Sequence, residues 1–245
     1  MKLFNMLVVS VLIGILSLTV NAEPSFNFKK GQRSTFDTQH DVKRKGAQVI
    51  ELLDLKENMV VLDVLGGGGY YSELAAQKVG TGGKIYLHNN QAYMPWIEKE
   101  LVARLANNRL PNVIRYDRET EDLELTPNSL DAVIFVLGYH DLYHKEKGWD
   151  IDKDSFLNQI TVALKKGGKI LIVDHSAKSG TGATAAQDLH RIDEAYVKKE
   201  MSDKGYHFIK QSEMLRNPKD PLDISAFKPE IRRKTDRFVL LFNKA

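Results

Sequence analysis

Seven histidines occur in the 245-residue sequence, and five of them, His88, His140, His144, His175 and His190, fall just after stretches that read as strands. GYHDLYH sets Tyr139, His140, Asp141, Tyr143 and His144 together; IVDHS sets Asp174 beside His175; HRID sets His190 and Arg191 next to Asp193. Imidazole titrates near neutrality, so His140 or His175 could take a proton from an attacking nucleophile while Asp141 or Asp174 orients the ring. Imidazoles and carboxylates can also gather a divalent metal such as zinc. Neither pair has the spacing of a helix-borne metal motif, since His140 and His144 stand at i and i+4 only if their loop is helical, and no residue is assigned to a metal. A third reading is hydrogen-bonded structural imidazole, the one taken for His40 and His207. Arg191 can clamp a substrate carboxylate or pair with Glu194, and Asp193 reads as a helix cap.

The second chemical signal is VVLDVLGGGGYYSEL, residues 60–74. An apolar run ends in Asp63, four glycines follow, and a helical pattern begins at Tyr70. A glycine turn after the first strand of an open sheet lets the backbone approach a ligand and aims a helix N-terminus at it. A tight strand-to-helix turn with no ligand is the plainer reading. No Lys-Ser/Thr pair follows, which argues against a phosphate-binding NTPase. Tyr70 and Tyr71 can lie against a ligand or begin the helix's buried stripe, and Trp96 reads as core.

The elements that must position these residues alternate. Val42, Val49, Ile50 and Leu53 fit one helical face, with Asp41 as N-cap. The strands MVVLDV, KIYLH, NVIRY, DAVIFVLG and KILIVDH are separated by helices near Tyr70–Val79, Met94–Asn107 and a segment capped by Asp154 that ends at LKKGG. A helix EAYVKKEMSDKG capped by Asp193 follows, then GYHFIKQSEML and DRFVLLFNK as a strand pair with no full helix between them. Continuous apolar strands alternating with helices imply a doubly wound, mainly parallel seven-stranded α/β sheet covered on both faces, with an antiparallel edge strand.

Composition bounds the rest. A chain this long buries roughly 70% of its unfolded surface and needs neither disulfide nor metal to fold, and it has no cysteine. Met1-Lys2, the apolar run Leu7–Val20 and Val20-Asn21-Ala22 read as a secretory leader cleaved after Ala22; the apolar core is shorter than the ~20 residues of a spanning helix. The organisation expected is a leader over 1–22, an N-terminal arm without clear period over 23–41, and one domain over 42–245. With Lys2 lost, 34 of the 35 Lys and Arg remain against 32 Asp and Glu. That balance gives no electrostatic case for nucleic acid, and no stable membrane insertion is expected once the leader is removed.

VVLDVLGGGGYYSEL, the GG-K-I-Y and D-A-V-I-F strands and LKKGGKILIVDH resemble the ordered motifs of class I S-adenosylmethionine-dependent methyltransferases, over about residues 42–243. More narrowly, GGGGYYSELA, GYHDLYH, DHSAKSGTG, LHRIDEAYVKKE and DRFVLLF resemble a group of bacterial methyltransferases that often carry export signals. The resemblance implies a Rossmann-like methyltransferase fold, S-adenosylmethionine as cofactor, a small-molecule acceptor and a periplasmic location. Of the family's acid-x-Gly-x-Gly-x-Gly loop, Asp63, Gly67 and Gly69 match, Leu65 stands where the first glycine belongs, and Gly66 and Gly68 add flexibility. The family's ribose-binding acid falls at Asn89, and RETEDLEL offers Glu121 or Asp122 for the adenine. Catalysis then falls to His140, Asp141 and His175, and substrate binding to Tyr139, Tyr143, His144, Asp174, His190 and Arg191. Export away from the cytosolic supply of this cofactor, with Leu65 and Asn89, leaves an alternative: an exported protein that binds a small ligand or metal on this fold without methylating.

Overall fold

The computed structural model describes residues 33–245. The expected leader, residues 1–22, and residues 23–32 of the arm lie outside the described residues. Within the rest of the arm a helix forms, α1 (Thr35–Arg44), capped where the Ser34 hydroxyl accepts from the Asp37 N–H. Asp41, expected as the N-cap, lies inside α1 and accepts from the Tyr70 hydroxyl at 2.6 Å. Lys45 breaks the helix with a left-handed φ of 44°, and α2 (Gly46–Glu51) restarts it. The restart needs glycine, because a Cβ on Gly46 would stand 2.5 Å from the Tyr70 hydroxyl. The single apolar face therefore does not exist: Val49 and Ile50 are buried, but Val42 is 80% exposed.

The sheet consists of β1 (Val60–Val64), β2 (Lys84–Asn89), β3 (Val113–Asp117), β4 (Leu130–Val136), β5 (Leu164–His175), β6 (Tyr206–Ser212) and β7 (Arg237–Lys244). Their order is β3-β2-β1-β4-β5-β7-β6. The first five run parallel, and β7 lies antiparallel between β5 and β6. Strands alternate their side chains between two faces, so Val61 joins a core made with α2, α3 (Tyr70–Val79) and α4 (Met94–Leu105), while Leu62 and Val64 join one made with α5 (Lys153–Ala163) and α7 (Glu194–Asp203). A single turn, α6 (Ala186–Leu189), precedes α7.

Three local expectations change. The carboxylate of Asp152, not Asp154, caps α5, accepting from the N–H groups of Asp154 and Ser155. LKKGG belongs to β5, since the chain passes from α5 into the strand at Leu164. Trp96 is 86% exposed, because α4 turns Met94 and Leu101 inward. Asp193 does cap α7, accepting from the Ala195 N–H at 2.9 Å. At the edge, β6 pairs with β7 through a register shift between Phe208 and Lys210. No helix among the described residues is long and apolar enough to cross a membrane.

Chain crossovers leave β1 toward β2 and β3 on one side, and β4 and β5 lie on the other. The crevice of an open α/β sheet opens at such a reversal, beyond the carboxyl ends of the strands.

Candidate active site

The glycine turn lies at that reversal, between β1 and α3. Leu65 takes a left-handed φ of 47°, the conformation a glycine would adopt without cost. Its side chain is buried in the core with Phe135 and Tyr139, and the partner across from it is Gly138, whose added Cβ would lie 3.5 Å from that of Leu65. That is an ordinary packing distance; the tighter neighbour of such a Cβ would be the Phe135 ring, at 3.1 Å. Gly67 and Gly69 also have positive φ, 58° and 81°. Asn89 is fully buried and clamps the turn: its Oδ1 accepts from the Gly67 N–H at 2.8 Å, and its Nδ2 donates to the Gly67 carbonyl at 3.0 Å. In this structure its amide therefore holds the loop and presents nothing to a sugar hydroxyl.

Two further groups fix the loop. His88 is fully buried, accepting from the Leu65 N–H at Nδ1 and donating from Nε2 to the Arg118 carbonyl. Burial lowers its pKa to about 4, which keeps it neutral and places it with the structural histidines. Asp63 is buried beneath the loop, its pKa raised by burial to about 7 although the Ser72 hydroxyl donates to it at 2.6 Å. From the α4 side, Arg104 donates to the Gly68 carbonyl and joins Asp37, Glu73 and Glu100.

At the ends of β4 and β5 the second cluster forms. The His140 backbone N–H and Nδ1 both donate to Asp174, each at 2.8 Å, and Nε2 lies 3.1 Å from Asp141 Oδ1. Burial would lower the pKa of His140, but Asp174 and Asp141 outweigh it and raise it to about 10. Asp141 would be raised by burial, yet His140 holds it well below the carboxylate range. Tyr93 donates to Asp141 at 2.7 Å, and the Trp149 indole donates to its carbonyl. His175 lies beside them, its ring centroid 5.8 Å from that of His140. Burial, then the charge on His140, pushes its pKa well below the usual value, so it stays a neutral imidazole. Its Nδ1 meets the Thr235 hydroxyl at 2.7 Å, and with Leu137 and Thr235 it walls a cavity of about 130 Å³.

The remaining candidates divide. His190, left-handed at φ 50°, has its ring centroid 5.5 Å from His140 and 4.7 Å from His144, with Nδ1 3.8 Å from Asp141. One ligand atom each of His140, Asp141 and His190 lies within 4.8 Å of the others. Tyr143 faces the α7 side, donating to Glu200 at 2.5 Å. Tyr139 does the same at 2.6 Å but is fully buried. Arg191 neither faces a substrate nor meets Glu194: it is fully buried and bidentate to Asp220, both contacts 3.0 Å. Glu121 and Asp122 are exposed on the loop after β3, held there by Gln159, which donates to the Glu121 carbonyl. Tyr93 and Thr235 had no local signal, since each meets its partner across 48 or more residues of chain; Arg104 had only its i,i+4 spacing to Glu100, while Glu73 and Asp37 lie 31 and 67 residues away.

A doubly wound sheet with a glycine turn at its reversal point and an acid buried beneath the turn defines a Rossmann-like α/β protein of the kind that holds a nucleotide or nucleoside cofactor. A family model described as a methyltransferase domain matches residues 55–217, well over half of the sequence, and the chain belongs to that family. It is 28% identical over 140 residues to the ubiquinone/menaquinone biosynthesis C-methyltransferase UbiE of Legionella pneumophila (strain Corby), covering 57% of this chain and 52% of that protein. The chain thus spans about half the length of the curated relatives it matches. Among solved structures, a SAM dependent methyltransferase from Aquifex aeolicus superposes with TM-score 0.61 at 19% identity, over 84% of this chain and 93% of that one. The [4+2]-cyclase SpnF superposes at 0.55 and 13%, over 82% and 80%. At these identities the superpositions show the fold alone.

S-adenosylmethionine is the cofactor that this family implies, and the residues at the loop fit it. Gly66, Gly67 and Gly68 are half-buried, and a Cβ at Gly67 would meet nothing closer than Ile97 at 3.8 Å, so the backbone can be approached there. The comparisons lend no support to the binding-only alternative.

Proposed function

We propose that the protein transfers a methyl group from S-adenosylmethionine to a small-molecule acceptor at the carboxyl edge of β1, β4 and β5. The observation that carries this reading is the approachable glycine turn at the sheet's reversal point, inside the segment matched by the methyltransferase model. The cofactor, when bound, supplies an electrophilic methyl on a positively charged sulfur.

The chain's own residues then divide the work. Gly66 and Gly67 let the cofactor come close to the turn, Gly69 with its positive φ swings the chain into α3, Asp63 and Leu65 hold the turn's ends, and Asn89 fixes its shape by bonding both the Gly67 N–H and carbonyl. Glu121 and Asp122 flank the nucleoside end from the loop after β3. His175, neutral and lining the cavity, takes the proton released as the acceptor is methylated. His140 carries its proton already and serves as a fixed positive charge, oriented by Asp174 and Asp141, beside the acceptor. His144, His190 and Tyr143 border that side, whereas Arg191 and Tyr139 support it from within. Residues 1–22 have the pattern of a cleaved leader, which supports action in the periplasm; N-terminal sequencing of the protein recovered from a periplasmic extract tests that.

Calorimetric titration of S-adenosylmethionine into the full chain tests the main reading. A Kd in the micromolar range supports it, and no heat at millimolar ligand refutes it.

A further inference from the structure

The cavity beside His175 has an unusual wall. Lys43 and Arg44 reach it from α1, Arg232 and Arg233 from the segment before β7, and Arg237 from the first residue of β7. None of these five cations forms an ion pair among the described residues. Their arginine neighbours do: Arg191 takes Asp220, and Arg216 takes Glu194, Glu213 and Asp236. The nearby acids are thereby spent, and Asp41 is spent on Arg33 and Tyr70.

Arg237 shows the deficit most sharply. It is 8% exposed, its Nη2 donates to the Lys43 carbonyl at 3.0 Å, and its Nε is buried without a partner. A guanidinium removed from water with no ion-pair partner is costly, and Asp236, whose charge favours it, is already held by Arg216. Burial shows the same strain by lowering its pKa below the arginine value. What the site lacks is an anion whose oxygens can accept from a planar fork of N–H groups. Leu137, Ala226 and Phe227 line the same space and offer an apolar surface to the rest of such a molecule.

We propose that this cavity binds the anionic group, carboxylate or phosphate, of the acceptor molecule, and so places the acceptor against His175. The assignment to the acceptor rests on the methyl-transfer reading; the anion site itself does not. At about 130 Å³ the cavity holds a charged group and not a whole ligand, since ligand pockets span roughly 300–1,000 Å³. The methionine end of the cofactor also carries a carboxylate, so the experiment must separate the two sources.

The test follows thermal stability and calorimetry of the full chain with inorganic phosphate, then acetate, each against sodium chloride at equal ionic strength. Phosphate should raise the melting temperature in a saturable way beyond chloride. Arg237→Met should weaken phosphate binding about tenfold, the loss of a charge-assisted contact. Should Arg237→Met fail to fold, the exposed pair Arg232→Gln/Arg233→Gln carries the test and should weaken phosphate binding at least as much. No stabilisation beyond chloride, or undiminished phosphate binding in the double variant, overturns the site. If the double variant loses affinity for S-adenosylmethionine in the same proportion as for phosphate, the anion is the cofactor's own and the acceptor assignment falls; unchanged cofactor affinity supports it. Phosphate binding with no cofactor binding overturns the methyl-transfer reading and leaves an anion site.

Discussion

Substituting Arg104 by methionine keeps most of the stem's packing but removes five N–H donors, every one of which is used. They serve the Gly68 carbonyl, Asp37 twice, Glu73 and Glu100. Glu73 would keep Arg109 at 2.6 and 3.0 Å. Asp37, 1% exposed, would lose its bidentate Arg104 partner and keep only the Ser34 hydroxyl and the more distant charge of Arg33. Breaking a buried pair from one side costs about 3–5 kcal/mol. For a chain of this size each kcal/mol moves Tm by about 2–4 °C, so the variant should melt about 10 °C lower. Neutralising that acid, in Arg104→Met/Asp37→Asn, should recover part of that loss, a non-additivity that a double-mutant cycle by thermal and urea unfolding measures. Because the Gly68 carbonyl also loses its donor, S-adenosylmethionine affinity should fall in step. Melting of Arg104→Met within ~2 °C of the parent, less than the smallest effect of a broken buried pair, or a further loss on adding Asp37→Asn, would refute this role for Arg104.

Three other outcomes follow from the same edge of the sheet. His140 is raised from 6.5 to about 10, so its charge stabilises the fold fully below about pH 6.5 and that benefit is lost as pH rises through about 10. Asp174→Asn should therefore melt well below the parent near pH 6.5 and approach it above pH 10; a gap independent of pH would contradict this. His175→Gln should lower kcat by roughly 10²–10⁴-fold while cofactor affinity holds, read from initial rates once an acceptor is in hand; equal losses in both would mean a structural role. Leu65→Gly relieves about 1–2 kcal/mol of left-handed backbone strain but empties a buried leucine site worth about 2–5 kcal/mol. It should melt lower and bind S-adenosylmethionine as well or better, and a gain of binding that the parent lacks would count against the enzyme reading.

The strands and the glycine turn were readable because their signals are local: Val60–Val64 and Leu130–Val136 are apolar runs bounded by turn residues, and four glycines in a row admit few structures. The bounds of α3 followed from Gly69 and Gly80 for the same reason. What escaped depends on contacts distant in sequence. Asp41 reads as a cap until Tyr70 is brought against it, and the break at Lys45 depends on Gly46 meeting that same ring. Asn89 reads as a ligand for hydroxyls until its amide is seen closing on Gly67. Arg191 reads as a clamp until Asp220, 29 residues later, takes both of its forks. The run Arg232-Arg233-Lys234 is visible as charge, but its meeting with Lys43 and Arg44 is a product of the fold.

The shifted register in β6 bears on how copies of this protein coexist at high concentration. The strand is an open edge, with Phe208 49% and Ile209 43% exposed, and a straight ladder bearing such side chains would template the addition of another chain. The irregularity between Phe208 and Lys210 interrupts the row of unpaired backbone groups, and an exposed lysine follows it. An incoming strand could pair on only one side of that interruption, and would have to bury an ammonium to go further. The edge is thereby guarded against fibril growth without surrendering its apolar residues.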